Sequence, residues 1–485
     1  MSNQGHSRTR SLAATRAGDP NAEAVAVGRG LAADLAHLRR EVVMRAEAAG
    51  LKLVRFIYVD TDGIIRAKST SVGRLTDRLQ TGIGLTVAMQ AMTMLDHLAG
   101  VEGMGPVGEI RLMPDPATFV VAPYTPKTGV VHTDMVTLGG EPYDAYGRVF
   151  LKRMIDRAAQ HDLEIVAAFE PEWSLARWEG GTLVPLDESG CFTTFGMNNA
   201  SHVILDVVES LEAQGIQVEQ YYAELGWGQQ ELAISHAPAL AAADRHIHYR
   251  ETVRGVAFRH GLHASFAPKP WGDQAGNGCH IHFSAWDRSR TVNRFHDPKG
   301  KYGLSPLATR FMAGVLEHLP ALVALTCASV NSYRRLQPQM WASAYRAWGP
   351  DNREAALRVA SSFRGHESES TNVELKASDS SADPYVALGG LIAAGMDGID
   401  RELELPAPAM ADPYTLSDQE RRAIRADRLP DNLGTAVENL NRDRVLADAL
   451  GPRLLAAFTA VKMLDVEDFA NQDEAFEFRQ HINRY

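Results

Sequence analysis

Phe169-Glu170-Pro171-Glu172 and Gly278-Cys279-His280-Ile281-His282-Phe283-Ser284 are the two stretches on which the reading of this chain turns. Each reads as a β-strand, and strand side chains alternate between faces. Glu170 and Glu172 therefore project together, as do His280 and His282. Set on neighbouring strands, two such pairs make a polynuclear cation site. Taken singly, each has a plainer account: Glu-x-Glu as a solvated strand face, His-x-His as partly buried histidines or zinc ligands.

Other acids extend the pattern. Glu224 and Glu231 flank the Gly226-Trp227-Gly228 bend, and Glu374 stands mid-strand in Asn372-Val373-Glu374-Leu375-Lys376. An acid between apolar neighbours either pairs with a basic side chain or joins a metal site. Glu170, Glu172, Glu224, Glu231, His280 and Glu374 together offer five carboxylates and one imidazole, a set suited to Mg²⁺ or Mn²⁺ rather than zinc. A basic group follows at Arg334, Arg335, Arg346, Arg353 and Arg358. Arginine beside Mg²⁺ is the usual clamp on a transferring phosphoryl group. No phosphate-binding P-loop occurs, so any nucleotide is held by other means. The residues by themselves lead to a metal-dependent phosphoryl-transfer enzyme.

Composition narrows the rest. The chain has 485 residues, 45% hydrophobic and 22% charged, enough for a large core and more than one structural unit. A net charge of −11 argues against nucleic acid or an anionic membrane as partner. Cys191, Cys279 and Cys327 are too scattered for a disulfide framework or a structural zinc site. No apolar run reaches the ~18 residues of a membrane span. Residues 1–25 read as a disordered tail on a cytoplasmic protein, and a helix is expected from Leu31 to near Gly50. Residues 26–140 read as a small β-rich domain, with a hairpin turn at Asp62-Gly63. Residues 141–485 alternate irregularly between strands and helices, which gives an α+β class with a largely antiparallel sheet.

In their order and spacing these strings resemble glutamine synthetase of the bacterial type I-like superfamily, over roughly residues 50 to 485. Asp60-x-Asp62-Gly63 with Arg66-x-Lys68, and Gly108-Glu109-x-Arg111-Leu112-x-Pro114-Asp115, resemble its N-terminal β-grasp domain. The two acid motifs, Gly276-x-Gly278-x-His280-x-His282-x-Ser284, Asn331-Ser332-Tyr333-x-Arg335-Leu336, Asn352-Arg353 with Arg358, and Glu374-x-Lys376 resemble its catalytic domain. The resemblance implies that Glu172, Glu224 and Glu231 hold one metal and Glu170, His280 and Glu374 another, two or three ions in all. It implies that His282 and Ser284 lie by ATP, that Arg353 and Arg358 grip the phosphate, and that Arg335 and the Gly276 backbone hold L-glutamate. It also implies a homo-oligomer, a dodecamer of two stacked hexameric rings, with a neighbouring subunit completing each site.

The sequence departs from that pattern in three places. Where ammonia-using relatives carry a flap glutamate, six residues after the arginine, this chain has Trp341. The family's Phe-Asp-Gly-Ser-Ser segment is missing, with Val87 to Met94 in roughly its place and no acid before Asp96. Lys376 replaces the usual arginine. Without those acids a small cation loses its partners, and an indole offers an apolar face instead, with Tyr222 and Trp227 expected nearby. The departures resemble the γ-glutamylamide and γ-glutamylanilide synthetase branch. The implied reaction is ATP-dependent ligation of glutamate to a primary amine, aniline-like or alkyl, in amine catabolism. The rivals are a true glutamine synthetase and a non-catalytic scaffold or sensor.

Overall fold

A computed structural model describes residues 20–485, with side chains described from Ala33 onward. The first helix runs Pro20–Ala48. It starts earlier than expected, so residues 20–25 are helical rather than tail, consistent with proline's preference for the first helical position. The expectation for residues 1–19 lies outside the described residues. Of the helix's apolar residues, Val42 is buried while Met44 faces solvent, and Ala46 takes the core position beside Leu51, Phe56 and Leu75.

The N-terminal sheet comprises β1 (Leu53–Val59), β2 (Ile65–Ser71), β3 (Ile83–Thr86), β4 (Glu109–Pro114), β5 (Val120–Val121) and β6 (Thr128–Thr137). Their order is β2-β1-β6-β4-β3, with β5 against β6. β1 and β2 are antiparallel across the Asp62-Gly63 turn, where Gly63 takes φ +81°. A side chain at Gly63 would also strike the Ser381 carbonyl, so two reasons favour glycine there. β6 pairs parallel with β1 and antiparallel with β4, which makes it the centre of the sheet.

The second sheet is built on β7 (Leu163–Glu179), a 17-residue strand. Around it lie β8 (Thr182–Pro185), β9 (Val218–Ala223), β10 (Gln229–Ile234), β11 (Ala237–Pro238), β12 (His263–Ser265), β13 (Cys279–Asp287), β14 (Trp348–Pro350), β15 (Leu357–Val359) and β16 (Val373–Leu375). The order is β14-β15-β16-β13-β7-β10-β9, antiparallel throughout except for β14 with β15. Odd-numbered residues of β7 and β13 (Phe169, Trp173, Leu175, Ile281, Phe283) are buried in the core, so the even-numbered acids and histidines line the opposite face. Helices Gly147–Gln160, Ala239–Arg259, Pro306–Thr326 and Pro384–Asp400 pack into the same core. By length and mean composition Pro306–Thr326 is apolar enough to cross a membrane, although Arg310 and Glu317 interrupt its apolar run. Its Phe311, Val315, Leu319 and Leu322 are buried against the core, which explains its composition without a bilayer.

A buried polar knot joins the two domains. Arg148 is fully buried and donates to Asp115 (2.8 Å) and Asp134 (2.8 Å) of the N-terminal domain and to Asp244 (2.9 Å) of the helix Ala239–Arg259. The Tyr385 hydroxyl donates to Asp244 (2.6 Å) and lies 3.1 Å from His132 Nδ1. A second knot ties the helix layer. His318 bridges Asp397 (2.9 Å) and Asp443 (2.6 Å). Burial pushes the His318 pKa down, but the hydrogen bonds to Asp443 and Asp397 outweigh it and hold it above the ordinary value.

With its folded pKa raised, His318 stabilises the protein fully below the unfolded histidine value of about 6.5, and this contribution fades as pH rises through the folded value. His318→Gln should therefore lose about 1.5–3 kcal/mol near pH 6, the range for a charge-assisted hydrogen bond. In guanidinium titrations the gap from the parent protein should narrow steadily toward alkaline pH. A gap that widened with pH would contradict the assignment.

Candidate active site

The site forms where β7 changes partners. As far as Pro171 it pairs with β13, setting Glu170 opposite His280; beyond that it pairs with β10, setting Glu172 opposite Glu231. Pro171 has no N–H to give, and it stands opposite Cys279, whose own N–H turns away to the Ser378 carbonyl. Across β13, His282 faces Glu374 of β16, and Arg358 of β15 faces Glu374 from the other side. The sheet register thus brings Glu170, Glu172, Glu231, His280, His282, Glu374 and Arg358 onto one face. Glu224 joins them from the turn after β9.

Geometry redistributes the two histidines. Among the described residues, Glu170, His282 and Glu374 form a set of three whose donor atoms all lie within 4.8 Å of one another. His282 is the histidine in this set, while His280, which the resemblance groups with Glu170 and Glu374, reaches Glu374 at 3.1 Å. The Nε2 of His282 is 3.1 Å from Glu170 and its Nδ1 is 2.9 Å from the Asn372 side-chain oxygen. Both neighbours accept, so the ring is an imidazolium. Burial would lower the His282 pKa, but Glu170 raises it to about 9, and His282 in turn holds Glu170 at about 2.

His280 is drawn the other way. Its Nδ1 is 3.1 Å from Glu374, while Nε2 faces Lys376 Nζ (3.3 Å) and Arg335 Nη2 (3.4 Å). Burial and the Lys376 charge push its pKa down, leaving a neutral ring whose Nε2 lone pair faces the two cationic donors. Glu374 meets both accounts offered for it: it pairs with Arg358 and sits among metal-competent groups.

The second acid set has little compensation. Burial and the Glu172 charge raise Glu224 to about 7, and Glu231 is pushed well up by burial and by Glu170 and Glu172. The Tyr222 hydroxyl donates to Glu231 at 2.5 Å. Glu172 accepts from Gln229 Nε2 (2.9 Å) and from the Gly278 N–H (2.8 Å). Carboxylates that raise one another's pKa in a buried cleft are what a hard divalent cation relieves, so the residues fit such an ion.

Gln229 opens β10, directly after Gly228. Its Nε2 also reaches the Gly276 carbonyl (3.0 Å) and Asn277 (3.0 Å), and this hydrogen bonding joins the glycine loop to Glu172. Gly276 and Gly278 make room for Arg335, because a Cβ at Gly278 would lie 2.6 Å from Arg335 Nη2 and 2.9 Å from His280 Nε2. Beyond His282, a cavity of about 420 Å³ is lined by Ser284, Trp286, Phe363 and Asn372, and Ser284 Oγ accepts from the Trp286 indole N–H.

The basic cluster divides. Arg335 and Arg358 stand at the site, and Arg353 is exposed on the loop before β15. Arg334 is claimed by Glu474 and Glu477 of the C-terminal helix, and Arg346 by Asp427, so both are structural. Trp341 is 58% exposed with φ +57°, in a segment where Gln339 and Ser343 also have positive φ. Among the described residues no ring packs on Trp341. Tyr222 meets Phe192 edge-on, and Trp227 lies in the turn after Glu224.

A sheet face carrying clustered acids, an imidazolium between two of them, and flanking arginines defines a metal-dependent enzyme that activates an anionic substrate. Residues 144–481 match the glutamine synthetase catalytic domain and residues 36–143 the glutamine synthetase N-terminal domain. The chain belongs to the glutamine synthetase family of ligases, whose members use ATP and divalent metals. It is 37% identical over 418 residues to the gamma-glutamylpolyamine synthetase GlnA3 of Streptomyces coelicolor, covering 85% of this chain and 89% of the relative. With the glutamine synthetase of Thermus thermophilus it shares 32% over 463 residues, covering 93% and 100%. A solved glutamine synthase homologue superposes with TM-score 0.81 at 31% identity, covering 90% of this chain and 99% of that one. The ADP complex of GmaS superposes with TM-score 0.79 at 30% identity, covering 91% and 99%.

Gly278→Ala should force Arg335 and His280 away from Glu172. Divalent-cation affinity, followed as free Mn²⁺ by electron paramagnetic resonance, should fall roughly 10–100-fold, the range for disturbing groups that orient metal ligands. Unchanged affinity would mean that the close packing at Gly278 does not support the acid set.

Proposed function

We propose that the protein joins L-glutamate to a primary amine larger than ammonia, with conversion of ATP to ADP and phosphate. The observation that carries this reading is the contrast between the two sides of the site. The acids, histidines and arginines that activate glutamate are all present, while the position of the ammonia-binding glutamate holds the exposed indole of Trp341. The polyamine named for the Streptomyces relative supports an acceptor of that size.

The chemistry follows from the groups at hand. A carboxylate has no usable leaving group, so the glutamate γ-oxygen first takes the γ-phosphoryl of ATP. The amine nitrogen then attacks the γ-carbonyl carbon, phosphate departs with the C–O bonding pair, and the nitrogen loses its surplus protons. Glu172, Glu224 and Glu231 would hold one Mg²⁺ or Mn²⁺ ion and Glu170 with Glu374 and a histidine another, in a site of two or three. When bound, such ions neutralise charge on the phosphates. His282 and Ser284 face the cavity that suits the nucleotide. Arg353 and Arg358 meet the phosphoryl group, and Arg335, Lys376 and the Gly276 backbone hold glutamate. We place the reaction in the cytoplasm and the working form in a dodecamer of two stacked hexameric rings, as the family resemblance implies.

Phosphate release measured with Mg²⁺, ATP and glutamate across ammonium, alkylamines, polyamines and anilines tests the reading. A primary amine should exceed ammonium by at least tenfold in kcat/KM, about 1.4 kcal/mol of transition-state preference. Ammonium as best substrate would make the protein a glutamine synthetase, and silence across the panel would favour a scaffold.

A further inference from the structure

The site has a direction. Along β13 the nucleotide-sized cavity lies at Ser284 and His282, the paired acids come next, and His280 with Arg335 and Lys376 closes the far end. An acceptor amine cannot approach through the space a nucleotide fills, so it arrives from the Lys376 end. The wall at that end is the loop leading into β15. The Lys376 N–H donates to the Ala356 carbonyl (2.9 Å), and two residues earlier on the same loop stands Glu354.

Glu354 is half-buried, and its Oε1 accepts the Trp341 backbone N–H at 2.8 Å. The loop beneath it is fixed: the Glu354 N–H donates to Asn352 (3.0 Å), whose side-chain amide in turn donates to the carbonyls of Ala409 (2.9 Å) and Ala411 (3.0 Å). Ser343 Oγ also donates to the Arg353 carbonyl (3.2 Å). Among the described residues no Lys, Arg or His nitrogen comes within 4.0 Å of the Glu354 carboxylate. The cation that acts on it is Lys376, whose ammonium is committed to Glu374 (3.6 Å) and His280 (3.3 Å). Burial pushes the Glu354 pKa up, and the Asp412 charge adds to this, while the backbone N–H groups of Trp341 and Ser343 and the Lys376 charge oppose it. A half-buried carboxylate without a cationic partner is an unmet electrostatic demand.

We propose that Glu354 is the specificity-determining residue of the amine side, binding the acceptor as a protonated aliphatic amine against the indole of Trp341. This rests on the ligase reading above. It decides between the two acceptor classes left open there. An aliphatic amine enters as an ammonium that a carboxylate holds and an indole face covers, whereas an arylamine is neutral at working pH and gains nothing from Glu354. The acid absent from position 341 is thus replaced thirteen residues later, by a side chain that reaches back to the backbone of 341 itself. Asp412, near enough to act on Glu354, offers a second negative charge for the distal ammonium of a diamine.

The test compares the parent protein with Glu354→Gln and Glu354→Asp, using butylamine, putrescine and aniline. With ATP, Mg²⁺ and glutamate saturating, Glu354→Gln should raise KM for putrescine roughly 10- to 100-fold, the scale of a lost hydrogen bond to a charged group. KM for aniline should move less than twofold, and Glu354→Asp should recover part of the loss. Calorimetric binding of putrescine to protein loaded with ADP and glutamate should weaken by the same factor, which keeps the inference testable apart from turnover. Equal losses for putrescine and aniline, or unweakened putrescine binding in Glu354→Gln, would overturn the assignment to Glu354. Absence of turnover with every amine while putrescine still binds through Glu354 would instead sink the ligase reading alone.

Discussion

Everything at the site depends on the register between β7 and β13. Nine consecutive pairs, Cys279 with Pro171 through Asp287 with Leu163, fix which side chains share a face. A slip of one residue would send His280 and His282 into the core and bring Ile281 and Phe283 to the acids. The register is held from the core side, where Phe169, Ile281 and Phe283 are buried, so hydrophobic packing on one face specifies the chemistry on the other. The change of partners just after Pro171 adds the second requirement. Because β10 pairs with β7 there, Glu172 meets Glu231, whereas continued pairing with β13 would set it opposite Gly278.

The electrostatics of the face follow from this crowding. Glu170 is satisfied by the charged His282, and Glu374 by Arg358, Lys376 and the two histidines. Glu224 and Glu231 have no comparable cation and bear the cost as raised pKa values. One half of the site is therefore internally neutralised and the other half has a surplus of negative charge. A cation added to such a face would enter where repulsion is greatest, beside Glu224 and Glu231.

Much of this was legible in the sequence, because strand alternation is a strict rule. It puts Glu170 with Glu172 and His280 with His282 on shared faces, and the sheet register sets Glu231 and Glu374 beside them. What alternation cannot say is which of two histidines on one face reaches which acid. That was decided by Arg335 and Lys376, which crowd His280. Arg334 and Arg335 are neighbours in sequence, yet one binds the C-terminal helix and the other the site. β6 escaped notice because Thr128 to Thr133 is buried without interruption and so shows no alternation. Glu354 had no pattern to mark it, since its meaning comes from a hydrogen bond across a loop to Trp341.

The Arg148 knot bears on how the chain is made. Asp115 and Asp134 belong to the N-terminal domain, but the guanidinium that neutralises them comes after that domain's last residue, and Asp244 lies 96 residues later still. During synthesis the first domain emerges with two acids aimed at an interface that has not yet been translated. It can collapse around Phe56 and Val131, but its docking face stays wet until the helix Gly147–Gln160 arrives, and Arg148 is itself incompletely matched until the helix Ala239–Arg259 follows. The two domains are thus separate in sequence yet interdependent in maturation, and the active-site sheet assembles on a partner already committed to receive it.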